Sequence, residues 1–155
     1  MTTDELKDLI REGENSHVEF TSKAVSNEEL AIVIIAFLNG QGGTLLLGVE
    51  DDGAIGGLTQ SADSAMNAIS QICQARVKPP VLPVLDSYRL DGRQILAISV
   101  EKGTHKPYYM VKHEKTLFYI RVGTTCRLAS PEQIAVLYAS HPIVHYVCPL
   151  SRTCP

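Results

Sequence analysis

Between residues 102 and 127 basic side chains interleave with aromatic ones: Lys102, Lys106, Lys112, Lys115, Arg121 and Arg127 with Tyr108, Tyr109, Phe118 and Tyr119. Only Glu101 and Glu114 lie near them. Ammonium and guanidinium groups neutralise phosphates, and tyrosine rings stack on unpaired bases, so this stretch is the candidate nucleic-acid surface. The competing reading is a two-stranded ribbon whose aromatics alternate into a core while its lysines are merely solvated. Lys112 and Lys115 flank what reads as a hairpin tip, and a protruding basic ribbon can enter a groove. Arg76 and Lys78 would extend the patch.

Three other constellations invite chemistry. His141, His145, Cys148 and Cys154 lie close enough in the C-terminal tail to ligate zinc tetrahedrally, against the plainer reading of an irregular, proline-containing tail. Gly40-Gln-Gly-Gly43 suggests a phosphate loop, but the order of elements is wrong for one. Phosphate loops run strand, loop, helix, so that a helix N-terminus faces the anion. Here an apolar helix comes first and its negative end faces the glycines, so the segment is read as a helix stop and no nucleotide cofactor is expected. His17, two residues before Glu19, has the chemistry for proton transfer, although a plain surface histidine fits as well.

The elements that must position these groups follow from pattern. Thr2 with Glu5, Ser26 with Glu29, and Ser130-Pro131 with Gln133 are helix-start signatures. They predict a short amphipathic helix ending at Gly13, an apolar helix over 27–39 with Gly40 after its end, and a last helix running to about Ser140. Ser61 caps a fourth helix in which Ala62, Ala65, Ile69 and Ile72 recur at helical spacing. Alternation over 17–23 predicts a half-buried strand, and the β-rich apolar run 44–49 a central one. Residues 88–90 and 94–100 around Asp91-Gly92 read as a hairpin, and 107–112 with 116–122 as a second strand pair. The sum is an α+β fold: a mixed, mostly antiparallel sheet with flanking helices.

The chain has 155 residues, long enough for one domain with a real core, and its 45% hydrophobic and 20% charged content is that of a globular protein. The net charge of −3 argues against a uniformly basic nucleic-acid binder, but it averages two unlike halves. Residues 1–63 carry 12 acids and 3 bases, and residues 64–155 carry 5 acids and 11 bases. The longest apolar run, 30–38, is about half of what a bilayer requires, and the acidic N-terminus has no apolar stretch of the secretory kind. A cytoplasmic protein is expected, with its four irregularly spaced cysteines reduced.

Several segments together resemble a known family. Glu14-Asn-Ser-His-Val-Glu19-Phe20, then Ala36-Phe37-Leu38-Asn39-Gly40, then Gly42-Gly43-Thr44-Leu45-Leu46-Leu47-Gly48-Val49-Glu50-Asp51 are similar to the Schlafen-type AlbA-like domain. Lys106-Pro107-Tyr108-Tyr109, Tyr119-Ile120-Arg121-Val122-Gly123 and Ser130-Pro131-Glu132 are similar to its C-terminal half. The resemblance implies one such domain over 1–140, followed by an irregular tail over 141–155. It also implies DNA binding, as bacterial members are described, or RNA cleavage, since some members are endoribonucleases acting on tRNA and rRNA. Those nucleases use two glutamates and an aspartate around a divalent metal. Glu14 and Glu19 reproduce the glutamate spacing, and the third acid falls at Asp51 or Glu50. Such hard oxygen ligands suit Mg²⁺ or Mn²⁺, which would activate water or stabilise charge on a phosphodiester. A solvated acidic surface is the alternative. The family's Glu-Phe-Lys is here Glu19-Phe20-Thr21, with Lys23 two residues on, about 7 Å along the same strand face.

These observations converge on a homodimeric nucleic-acid-binding domain of regulatory type, for DNA or RNA. The alternatives are a metal-dependent endoribonuclease using Glu14, Glu19 and Asp51, and a protein-interaction module built on the exposed aromatics. Family nucleases pair two such lobes to clamp RNA, and a homodimer would rebuild that clamp.

Overall fold

Three of the four helices among the described residues begin with a reciprocal capping box, in which a hydroxyl and a side chain three residues later satisfy each other's backbone amides. In the computed structural model, which describes residues 1–22 and 25–140, these are α1 (Thr3–Glu12), α2 (Asn27–Asn39) and α4 (Pro131–Ala139). At α1 the Glu5 amide donates to Thr2 Oγ1 at 3.1 Å and the Thr2 amide to Glu5 Oε2 at 2.7 Å. Each cap contributes about 1 kcal/mol. The fourth helix, α3 (Ala62–Ala75), is capped by Ser61 alone. No helix among the described residues is long and apolar enough to cross a membrane.

The main sheet holds β1 (Val18–Thr21), β2 (Gly43–Leu47), β3 (Val84–Leu90) and β4 (Arg93–Val100) in the order β1-β2-β4-β3. β1 and β2 run parallel, joined by α2 as the crossover that parallel strands require; the other two pairings are antiparallel. The sheet is therefore mixed and mostly antiparallel, with helices on both faces. Strand alternation sorts its side chains. Val18, Phe20, Leu46, Ile95 and Ala97 pack with Leu6 of α1. Leu45, Leu96, Ile98 and Val100 pack with α2 and α3. Asp91 and Gly92, both at positive φ, make the two-residue β3–β4 turn expected of that dipeptide.

Two smaller ribbons correct the expected strand pair over 107–122. β5 (Met110–Lys112) pairs with β6 (Lys115–Leu117), and β7 (Tyr119–Val122) turns back on β8 (Thr125–Leu128) rather than continuing from β6. The β7–β8 ribbon lies against α2.

The glycines after α2 reverse the chain. Gly42 takes φ +80°, and a Cβ there would lie 2.5 Å from the Val100 carbonyl oxygen. A Cβ on Gly43 would meet the Phe37 ring at 2.6 Å and the His17 carbonyl oxygen at 2.7 Å. Neither the ring nor the backbone can retreat, since Phe37 is 1% exposed and the Thr44 amide donates to that same carbonyl. Gly43→Ala is therefore expected to lower stability by about 1–3 kcal/mol, read from urea midpoints at unchanged m.

Candidate nucleic-acid interface

The β5–β6 hairpin turns on His113 and Glu114, both at positive φ (51° and 63°), the two-residue turn whose twist suits antiparallel strands. That turn sets Lys112 directly opposite Lys115, and both are exposed. Like charges facing each other across a ladder are destabilising. Lys112 relieves some of this through Glu28 at the start of α2, its Nζ 2.6 Å from Glu28 Oε1. The hydrogen bond from Lys112 holds the Glu28 carboxyl below the usual carboxylate range, and the charges of Arg76 and His113 add to the effect. Arg76 and His113 thus stand within electrostatic reach of the same carboxylate. The segment after α3 is tied to the hairpin, because Lys78 and Tyr109 exchange backbone hydrogen bonds at 2.9 and 2.8 Å. The fold brings together Arg76, Lys78, Lys112, His113 and Lys115, so the extension suggested by Arg76 and Lys78 has a geometric basis.

The rest of the 102–127 stretch divides. Lys102 and Arg127 are exposed and Tyr119 is half-buried, its phenol pushed up chiefly by burial. Lys106, Tyr108 and Arg121 turn inward, which corrects their assignment to an open binding face. Lys106 is 7% exposed and donates to the Gly40 carbonyl at 2.9 Å, capping the negative end of α2. Tyr108 is 4% exposed, its backbone held by Asn39 and its hydroxyl accepting from the His105 amide at 3.2 Å. The remaining aromatics pack on one another: Tyr109 against Phe118 at 5.6 Å between centroids, and Phe118 edge-on to Tyr138 of α4 at 6.4 Å.

Arg121 has a side chain only 4% exposed, and it knots β7 to the segment around β1. Its Nη2 donates to the carbonyls of Asn15 (2.8 Å) and Val18 (3.2 Å), and its guanidinium carbon lies 5.2 Å from the centre of the Phe37 ring. Nη1 stands 2.7 Å from Glu19 Oε2 and donates to Cys126 Sγ at 3.4 Å. The contact with Glu19 is a charge pairing with poor alignment, so that Glu19 Oε2 and Arg121 Nε both lack a well-directed hydrogen bond. Burial pushes the Glu19 carboxyl above its ordinary value despite Arg121, and the charges of Glu14 and Asp51 push the same way.

Glu14 and Asp51 therefore lie near enough for their charges to bear on Glu19, but the side chains are committed differently. Glu14 Oε1 accepts from the Phe20 amide at 2.9 Å. Glu19, opposite Leu45 in the register, points to the α2 side of the sheet, where Arg121 takes it. Among the described residues no three His, Cys, Asp or Glu side chains are grouped to hold a metal ion. As placed, these carboxylates do not fit a divalent cation. His17 sets its Nδ1 3.4 Å from the Gly42 carbonyl at the α2–β2 turn. Thr21 is buried, at 5% exposure. Lys23 and the tail residues His141, His145, Cys148 and Cys154 lie outside the described residues. Burial pushes the Cys73 thiol up to about 11 and raises that of Cys126, so neither is a poised nucleophile.

Asn39 is the residue whose part the sequence did not reveal. It is 4% exposed, accepts from the Tyr108 amide at 2.6 Å, and donates to the carbonyls of Tyr108 and Tyr119 at 2.9 and 2.8 Å. Its place in the Phe37-x-Asn39 segment, at the end of an apolar helix, was the available signal.

Among solved structures the chain is similar to the DIP2311 protein of Corynebacterium diphtheriae, at 25% identity and a TM-score of 0.57 over 74% of this chain. The match spans 22% of that protein's chain. It is also similar to the N-terminal domain of a RecG-related protein from Nitrosomonas europaea, a candidate ATP-dependent DNA helicase. There the identity is 22% and the TM-score 0.63, over 84% of this chain and 94% of that domain. No curated protein matches the chain significantly. The model of the family described as Schlafen, AlbA_2 matches residues 14–130, which contain the hairpin, the Arg121–Glu19 pair and the Asn39 junction. With three-quarters of its length so matched, the chain belongs to the Schlafen AlbA_2 family.

Proposed function

We propose that this domain binds nucleic acid, DNA or RNA, by setting the β5–β6 hairpin and the neighbouring Arg76 against phosphates. The observation that carries the reading is the Lys112–Lys115 opposition at the hairpin end, a stability cost that a phosphate contact would turn to use. The DNA binding that the resemblance to this family implies, and the candidate helicase bearing a similar domain, support it. A regulatory role in the cytoplasm and a homodimer belong to the same reading, because two copies would present two basic hairpins to one nucleic acid.

The test is fluorescence anisotropy with a short duplex DNA and a tRNA across 50–300 mM salt. Affinity should fall steeply, and Lys115→Ala and Arg76→Ala should each reduce the slope of log K against log salt by about 1. Binding indifferent to salt would transfer the site to a protein partner. Cleavage of the tRNA that requires Mn²⁺ and disappears in Glu14→Ala would transfer the reading to the metal-dependent endoribonuclease.

A further inference from the structure

Lys106 presents a problem that its contact with α2 solves only in part. It is more than nine-tenths buried, yet among the described residues its ammonium donates to one group alone, the neutral Gly40 carbonyl. The end of α2 supplies about half a negative charge at most. The charged group that bears on Lys106 is Lys102, of the same sign, and no carboxylate among the described residues pairs with either lysine. A buried charge without a counter-charge is costly.

The loop that carries both lysines is held firmly. The Gly103 amide donates to the Leu38 carbonyl at 2.9 Å, and Gly103 is pressed so closely against the Tyr108 ring that no Cβ fits there. Between this loop and the end of α2 lies an open pocket of about 390 Å³, lined by Lys102, Lys106, Gln41, Thr104 and Ser140. Two ammoniums with amide and hydroxyl donors around one cavity match a phosphate, which offers several acceptor oxygens and the missing negative charge. The pocket adjoins a second cleft that shares Lys102, Gly103 and Thr104 and continues along Leu38, Val81 and Leu82, with Ser99 and the Glu101 carboxylate on its wall as well. A phosphate with a flat apolar group next to it is the repeating unit of an unpaired nucleic-acid strand.

We propose that Lys102 and Lys106, with Gln41 and Thr104, form a subsite for one phosphate of a single-stranded or overhanging nucleic acid, whose adjacent unpaired base enters the Leu38–Val81–Leu82 cleft. The identity of the ligand rests on the nucleic-acid reading above; the anion site itself rests on the lysine pair. The hairpin then serves affinity for any strand, and the pocket serves preference for unpaired ends.

Two measurements on the full chain separate these claims. In the first, ¹⁵N-labelled protein is titrated with inorganic phosphate against chloride at matched ionic strength. Saturable shifts at the Gln41, Gly103 and Thr104 amides are expected with phosphate alone, and their loss in Lys102→Ala, an exposed position whose change leaves the fold in place. Shifts that stay linear, or that chloride reproduces, overturn the subsite. In the second, a single-stranded oligonucleotide and a blunt duplex are compared by anisotropy. Lys102→Ala should weaken the single strand about tenfold and the blunt duplex less than twofold, whereas Lys115→Ala should weaken both alike. Equal loss on both ligands, or none, overturns the subsite while leaving the nucleic-acid reading in place. Saturable phosphate binding by a protein that binds no oligonucleotide overturns the reading, and with it the assignment of this pocket to a strand.

Discussion

Arg121→Met should destabilise the domain by about 3 kcal/mol at neutral pH, because it leaves a largely buried Glu19 carboxylate without its counter-charge. The carbonyls of Asn15 and Val18 lose their donor in the same stroke. The loss should depend on pH. Burial already raises the Glu19 pKa in the folded state, and Arg121 is the group that holds it down. A carboxyl whose folded pKa exceeds the unfolded one binds its proton more tightly when native, so stability falls as pH rises through that window. Without Arg121 the pKa climbs further and the window widens. Urea unfolding should therefore show a smaller loss at pH 4, where more of the Glu19 carboxyl carries its proton, than at pH 7. Adding Glu19→Gln to the variant should recover part of the neutral-pH loss. An equal deficit at both pH values would mean that Glu19 is not the group left stranded.

Asn39→Ala should cost as much or more. It strands the buried Tyr108 amide and carbonyl, which cost about 1–3 kcal/mol each when left unmade, and the part-buried Tyr119 carbonyl, which costs less. A loss of about 3 kcal/mol or more is expected, with faster hydrogen exchange at the Tyr108 amide. Asn39→Asp makes the sharper probe. It keeps an acceptor for the Tyr108 amide but turns a carboxylate oxygen toward two carbonyls. That variant should be poorly folded at pH 7 and partly rescued by acidification, as the carboxyl regains a donor. If Asn39→Asp matched the wild type at neutral pH, the amide would not be the link it is drawn to be.

What could be read from the residues alone was what is decided locally. Capping boxes act over three residues, so α1, α2 and α4 begin where Thr2, Ser26 and Ser130 indicate. Asp91-Gly92 specifies its own turn, and the β3–β4 hairpin follows. The first half of β3 escaped notice because an edge strand with Val84 54% exposed shows little apolar alternation. β8 escaped for the same reason, as Thr125, Arg127 and Leu128 are all exposed. The site shows the same division. A basic, aromatic stretch was visible in composition, but which side chains turn inward depends on distant partners. Lys106 is claimed by a carbonyl 66 residues away and Arg121 by one 106 residues away. The family segments behave likewise: Asn39, Gly42, Gly43 and Arg121 hold the architecture.

The end of α2 also sets a schedule for the chain. Asn39 closes loops of 69 and 80 residues to Tyr108 and Tyr119, and the Gly40 carbonyl waits for a lysine 66 residues on. Contacts of such separation form late, since loop closure must precede any return from them. During synthesis α2 finds β2, α3 and β4 first, but the Asn39 amide and the face that meets β7 wait until residue 119 has left the ribosome. A nascent chain stalled short of that point would leave uncovered the face of α2 on which the β7–β8 ribbon packs, the kind of surface that chaperones hold and aggregates grow from.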